Sequence, residues 1–283
     1  MDKRKIEEAF VKVCMICATG IIITSLVFII VIIIIKGFPA MNLAMITQLP
    51  KGGFYLGKEG GILNAIIGSL MVAGGATSLA VLISLPIVLY ININQKKNSV
   101  LTLITRFSFD VLWGVPSIVY GAFGFTIMLF FGLKASLSGG IIAIALLELP
   151  IMSRAVDEVV RMVPCDLLEA SYSLGATKLE TSYKIILRQT FSGIVTAILI
   201  AFGRGIGDAA AVIFTAGFSD YIPEHLSQPV ATLPLAIFFQ LGTPFPEVQE
   251  RAYASAFILT LIILIISIIS RCIAAKISKH SIK

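Results

Sequence analysis

"RAVDEVVRMVPCDLLEASYSLGATKLETSYKIIL", Arg154 to Leu187, is a polar interruption between two runs apolar enough to cross a membrane. Its punctuation predicts a helix-turn-helix. Pro164 suits a first helical turn, and Asp166 and Glu169 suit the positive end of a helix dipole. Leu168 and Tyr172 are four apart and so share a face. Gly175 is placed to end the short helix in the left-handed conformation. Thr177 and Glu180 form a T-x-x-E capping box that starts a second helix. Two readings of the loop stand: an amphipathic helix lying on the membrane surface, or a segment that a soluble partner grips.

Working outward, the 283 residues are 57% hydrophobic and only 13% charged, with a mean hydropathy of +0.97. Soluble chains carry about 25% charged residues, so this is an all-α integral membrane protein. Six apolar runs are long enough to span: about Val13–Ile35, Ile62–Ile91 with Pro86, Val111–Phe131, Gly139–Val160 with Pro150, Tyr183–Gly217 and Tyr253–Ala275. The net charge of +6 falls in short connections rather than in a patch for nucleic acid. Sixteen Lys and Arg lie in the tails and in the second and fourth connections; five, Lys36, Lys51, Lys58, Lys134 and Arg251, lie on the other side. By the positive-inside rule both termini are cytoplasmic. The first run is too long, and lacks the small-residue cleavage site, for a removable signal peptide. Cys14 and Cys17 read as small buried apolar residues, and His225 and His280 have no ligand-type neighbours, so no metal site and no catalytic cluster is expected.

"AFGRGIGDAAAV", Ala201 to Val212, puts Arg204 and Asp208 inside the fifth run. An ionised side chain at a bilayer centre costs about 2.5–3.5 kcal/mol even on insertion scales. On a helix the two lie one turn apart and can pair, while Gly203, Gly205 and Gly207 let a neighbour approach the backbone. Either the pair is structural glue, or Arg204 lines an aqueous path and binds an oxyanion with its fork of donors. Arg154 with Glu158, and Asp157 with Arg161, repeat the spacing near one end of the fourth run. They are ordinary i,i+4 pairs or an exit for the anion. Glu148, just before Pro150, has no evident partner. It is protonated or meets a basic residue of another subunit.

The loop resembles the EAA signature of ABC-importer permeases through Glu169, Ala170, Gly175, Ile185 and Leu187. Ser171 stands where that family usually has a second alanine, and Arg188 where it usually has proline, which removes a helix-start signal ahead of span five. "GGILNAIIGSL" (Gly60–Leu70), "GVPSIVYGAFGF" (Gly114–Phe125), "RAVDEVVRMVP", "GRGIGDAAAV" and "ATLPLAIFFQL" (Ala231–Leu241) narrow the resemblance to phosphate-transport permeases, of the A-type. There the charged motif usually reads G/A-R-A-x-G-E-T-A-P; here Asp208 replaces the glutamate and Ala211 the proline.

The resemblance implies an ABC-importer permease fold of about six helices. Residues 1–61 would be an N-terminal tail, first helix and outer loop; residues 62–283 a five-helix core, with a coupling loop at about 161–182. It implies a non-enzymatic subunit of an ATP-driven phosphate importer in a prokaryotic plasma membrane. Glu169, Ala170, Gly175, Leu168 and Tyr172 would meet the ATPase, and Arg204, Asp208, Arg154, Glu158 and Glu148 would serve the path. The implied partners are a C-type second permease, two cytoplasmic ATPases, an external phosphate-binding protein and membrane lipid. The chain has no G-x-x-x-x-G-K-[ST], so ATP and Mg²⁺ belong to the ATPase and no cofactor to this chain. Another oxyanion, such as sulfate, molybdate or phosphonate, is the alternative. A stand-alone secondary transporter, which would carry sites repeated in two halves, is the more distant one.

Overall fold

A computed structural model describes residues 3–51, 59–96 and 98–278. Lys58, Lys97, Lys279 and Lys283 of the charge asymmetry, and residues 52–58 of the first outer loop, lie outside the described residues. Helix α1 (Lys3–Gly37) has 35 residues, or about 50 Å at 1.5 Å per residue, more than a bilayer core requires. Its apolar length is not buried against the rest of the chain, and it meets its own chain near its C-terminal end. There the Lys36 ammonium lies 4.8 Å from the Tyr253 ring centre, and Phe38 sits edge-on to Phe257 at 6.1 Å. Cys14 and Cys17 are therefore exposed on α1 rather than buried.

After α1 come a short helix α2 (Leu43–Thr47), capped by Asn42, and a two-residue antiparallel hairpin, β1 (Pro50–Lys51) with β2 (Glu59–Gly60). The buried Arg251 guanidinium donates to the Gly60 carbonyl and ties this loop to the last helix. Helix α3 (Leu63–Leu89) runs on into a π-helical turn at Tyr90–Asn94. Helices α4 (Val100–Trp113) and α5 (Ser117–Phe130) meet at an angle of 101°. The sequence predicts one straight span over 111–131, and the bend corrects it. Pro116 has no N–H to continue a helix, and it pushes Val115 out of the helical region.

Helix α6 (Leu137–Arg161) packs most extensively on α3. Small residues mark the close approach, with Gly75 of α3 against Ile141 and Gly140 of α6 against Val72. Small residues let backbones approach where lipid supplies no hydrophobic drive between helices. Helix α7 (Cys165–Ser173) follows, then α8 (Lys178–Glu180), a π-helical turn at Thr181–Ile186 and α9 (Leu187–Ile206). Helices α10 (Leu233–Leu241) and α11 (Pro246–Ser278) close the bundle. Among the described residues five helices are long and apolar enough to cross a membrane, six where the bent α4–α5 pair counts as one span.

One ionic cluster pins three elements together. Asp157, with no exposed surface, accepts from Arg106 Nε at 2.9 Å, Arg106 Nη2 at 3.0 Å and Asn92 Nδ2 at 2.7 Å. The sequence pairs Asp157 with Arg161, but the structure gives it to Arg106 of α4. A carboxylate that faces inward from α6 is satisfied by what the neighbouring helices bring. Removing one partner of such a buried pair strands the other charge, at about 3–5 kcal/mol, whereas an apolar replacement of both is far milder. Asp157→Ala is therefore expected to lower the thermal midpoint of the purified protein markedly, and Arg106→Met/Asp157→Leu to recover most of it. A midpoint unchanged in the single variant would remove the clamp.

Candidate functional site at a break in the fifth span

Helix α9 does not reach Gly217, as the hydropathy predicts; it ends at Ile206. Any side chain at Gly205 would run into the Glu148 carboxyl, which sits near the midpoint of α6. The end of α9 therefore lies halfway along its neighbour, and residues 207–232 continue in turns and irregular backbone. Irregular backbone at membrane depth is tolerated only when buried in protein or lining water.

The hydrogen bonds of this segment show how it is held. The first N–H groups of α6, which a helix leaves without partners, donate to it: Leu137 to the Gln228 carbonyl at 2.8 Å and Ser138 to the Leu226 carbonyl at 2.9 Å. Ser136 N donates to Thr215 O at 2.9 Å. Asn64 and Ser69 of α3 hold Ser219 O and Leu233 N, each at 2.7 Å. Two helices thus satisfy what the broken span exposes.

Arg204 lies in the last turn of α9, where a cation meets the negative end of the helix dipole. Asp208 is beyond the helix end, so the two no longer share a helical face as the spacing predicts. Asp208 is almost buried, and its Oδ1 accepts from Ala211 N at 2.8 Å. Its Oδ2 lies 4.0 Å from Arg204 Nη2, and the Arg204 side chain is 57% exposed. The acid is committed to the backbone; the cation is loosely paired and open.

The other expected path residues sit elsewhere. Arg154 pairs with Glu158 at 3.4 Å and also with Asp110 of α4 at 3.5 Å, a partner that local spacing does not reveal. Glu148 has no exposed surface, and in this conformation it faces the packed junction of α3, α6 and α9 rather than an open path. Thr77 of α3 is a polar neighbour, yet neither its hydroxyl nor either Glu148 oxygen makes a hydrogen bond of normal geometry.

In the loop, Gly175 has φ +83° and the Thr177–Glu180 capping box is formed in both directions. Pro164 stands just before α7 rather than in its first turn. Glu169, Ala170 and Gly175 are exposed. The inward face of α7 is Leu168 with Ser171, not Leu168 with Tyr172. Leu168 packs on the core, and the buried Ser171 hydroxyl meets Thr181 Oγ1 at 2.9 Å, while Tyr172 stays exposed. The serine in the alanine position thus fastens the loop's two halves. Leu174, Leu179 and Met162 stand out as large exposed apolar side chains nearby.

A membrane permease with a helix that ends halfway along its neighbour and an exposed helix-turn-helix at one end is the class this arrangement defines. The chain belongs to the binding-protein-dependent transport system inner membrane component family, whose profile matches residues 83–281. Among curated relatives it is similar to the phosphate transport system permease protein PstA of Yersinia pestis, 36% identical over 90% of this chain and 85% of that one. The PstA of Haemophilus influenzae is 33% identical over 84% and 83%, and PstA 1 of Mycobacterium tuberculosis 32% over 94% and 87%. Among solved structures, an inward-facing MetNI methionine ABC transporter shares the fold. Its TM-score is 0.63 at 17% identity, over 76% of this chain and 95% of that chain. An amino acid ABC transporter chain follows with a TM-score of 0.57 at 18% identity, over 76% and 93%.

The contact between Gly205 and Glu148 makes a prediction. Gly205→Ala is expected to reduce assembly of the complex, because the new Cβ displaces a fully packed carboxyl. Adding Glu148→Ala should restore much of the loss. Equal yields from the single and double variants, measured by co-purification, would contradict the close packing at the break.

Proposed function

We propose that this chain is one half of the membrane path of an ATP-driven phosphate importer, and that Arg204 is the cation the anion passes. The observation that carries this reading is the loosely paired, half-exposed guanidinium at the end of a helix that stops halfway along α6. The names of the curated relatives supply the anion. A guanidinium fork matches two phosphate oxygens at once, which a lysine point charge does not. Asp208 beside it would accept a hydrogen bond from hydrogen phosphate, whereas sulfate has no proton to give and is repelled.

Family membership and the exposed α7 loop support partners of the usual kind. Two ATPases would grip Glu169 to Gly175 and its exposed Leu174 and Leu179; a C-type permease would complete the path; a phosphate-binding protein would deliver from outside. In this assignment the α7 end faces the cytoplasm with both termini, in the inner membrane of a prokaryote. Residues 62–283 form the permease core with its coupling loop at about 161–182, and residues 1–61 carry the accessory first helix. ATP and Mg²⁺ act in the ATPase, and this chain moves the anion without altering it. Arg154 and Glu158, at the cytoplasmic end of α6, would line the exit, and Glu148 would steady the turn that carries Arg204.

Reconstituted with its partners in vesicles, the complex is expected to take up phosphate only with ATP and to ignore excess sulfate. Arg204→Ala should abolish uptake while the subunits still co-purify. Normal uptake by that variant would remove Arg204 from the path. Uptake blocked by sulfate would keep the importer and change the anion, and ATP-independent transport by this chain alone would return the secondary-transporter reading.

A further inference from the structure

We propose that the cavity behind α7 binds one anionic phospholipid of the cytoplasmic leaflet; the leaflet assignment rests on the orientation above. The cavity has a volume of about 430 Å³ and lies among the π-helical turn after α3, α4, the end of α6 and α7. It has two chemically distinct parts. Its floor is apolar, with Ile91, Leu103, Val160 and Leu168. Its polar lining is Asn92, Asn98, Arg106 and Arg161, so it carries two basic groups and, among the described residues, no acidic one.

The two arginines are not equivalent. Arg106 is neutralised by the buried Asp157, which holds it through two hydrogen bonds. That same engagement leaves Arg161 without the acid its own helix seemed to offer, and no ion pair to Arg161 is formed among the described residues. An exposed cation beside an apolar recess is the complement of a phosphate head with its acyl chain, and basic pockets between helices on the cytoplasmic side select such heads.

Helix α4 gives the route in. Val100, Leu103, Ile104 and Phe107 form an exposed apolar flank, and Leu103 belongs both to that flank and to the cavity. A chain lying along α4 enters at Leu103 and brings its head to Arg161. A free inorganic anion would leave the apolar floor unused, and a neutral lipid would leave Arg161 unused. Because Cys165 and Leu168 of α7 form part of the wall, an occupant sits directly under the helix that meets the ATPase.

Cys165 is also the reporter. Cys14 and Cys17 lie on α1 and Cys272 on α11, so replacing these three by Ala leaves Cys165 as this chain's remaining thiol. The assembled complex would be placed in nanodiscs of neutral phospholipid, and the rate of maleimide attachment to this chain followed by mass. Exchanging part of the lipid for phosphatidylglycerol with the same acyl chains is expected to slow the reaction about fivefold, the contribution of one cation near an anionic surface. Arg161→Gln should erase the slowing, and inorganic phosphate in neutral discs should not reproduce it. Retention of the slowing in Arg161→Gln would overturn the site, and so would protection by inorganic phosphate. A thiol already unreactive in neutral discs would do the same, by showing that the cavity wall at Cys165 is closed without any anionic lipid. The readout does not depend on which anion crosses, so its failure and a failed uptake assay are separate results.

Discussion

A peptide group in hydrocarbon has no water to bond to, and α9 stops halfway along α6 with its span unfinished. The rest of the architecture answers that constraint. The first two free N–H groups of α6 point into the irregular segment and find the carbonyls of Gln228 and Leu226. Asn64 and Ser69, polar residues that would be costly on a lipid-facing helix, are spent on Ser219 and Leu233. Asp208 takes the Ala211 N–H just past the break. The broken span is therefore a built feature. It places the end of a helix dipole, and the cation belonging to it, beside the middle of α6.

The charges inside the bundle form a series, and their order separates scaffold from path. Asp157 is closed, buried and satisfied by Arg106 and Asn92, so its energy goes into holding α3, α4 and α6 in register. Arg154 is intermediate, shared between Glu158 and Asp110 at ordinary ion-pair distances with part of its surface open. Arg204 is the loosest, at 4.0 Å from an acid whose other oxygen is already engaged. An anion exchanges readily only with a cation that is not already saturated, because displacing a closed, desolvated pair costs several kcal/mol. By this criterion Arg204 suits transient binding and Arg106, held by Asp157, does not.

What the sequence makes legible is local. The left-handed Gly175 and the capping box of Thr177 with Glu180 depend on residues within one turn, and they form as read. Pairings across the fold were not legible. Arg106 and Asp157 stand 51 positions apart, and the i,i+4 rule offered Arg161 instead. Hydropathy also cannot see backbone direction. It drew one span over 111–131, across the 101° bend that Gly114-Val115-Pro116 makes between α4 and α5, and it carried span five through Gly207 to Gly217 because alanines and glycines are apolar whatever their conformation. The glycines at 203, 205 and 207 were the available signal for the break. The buried contact that uses Gly205, Glu148 of α6, had to come from the structure.

The same departures from the family pattern bear on how the loop communicates with the break. With Arg188 in place of proline, helix continues from Lys178 to Ile206 through the π-helical turn, a rod of about 40 Å at 1.5 Å per residue. Arg204 is in its last turn, and its first turn is fastened to α7 by the Ser171–Thr181 hydrogen bond. Along the way Gly193 lies bare against Val159 of α6, a point of close approach about which the rod can tilt. A displacement of α7 therefore reaches Arg204 through the Ser171–Thr181 bond and the helix that runs from Lys178 to Ile206. Leu168 packs α7 onto the core beside the start of that helix.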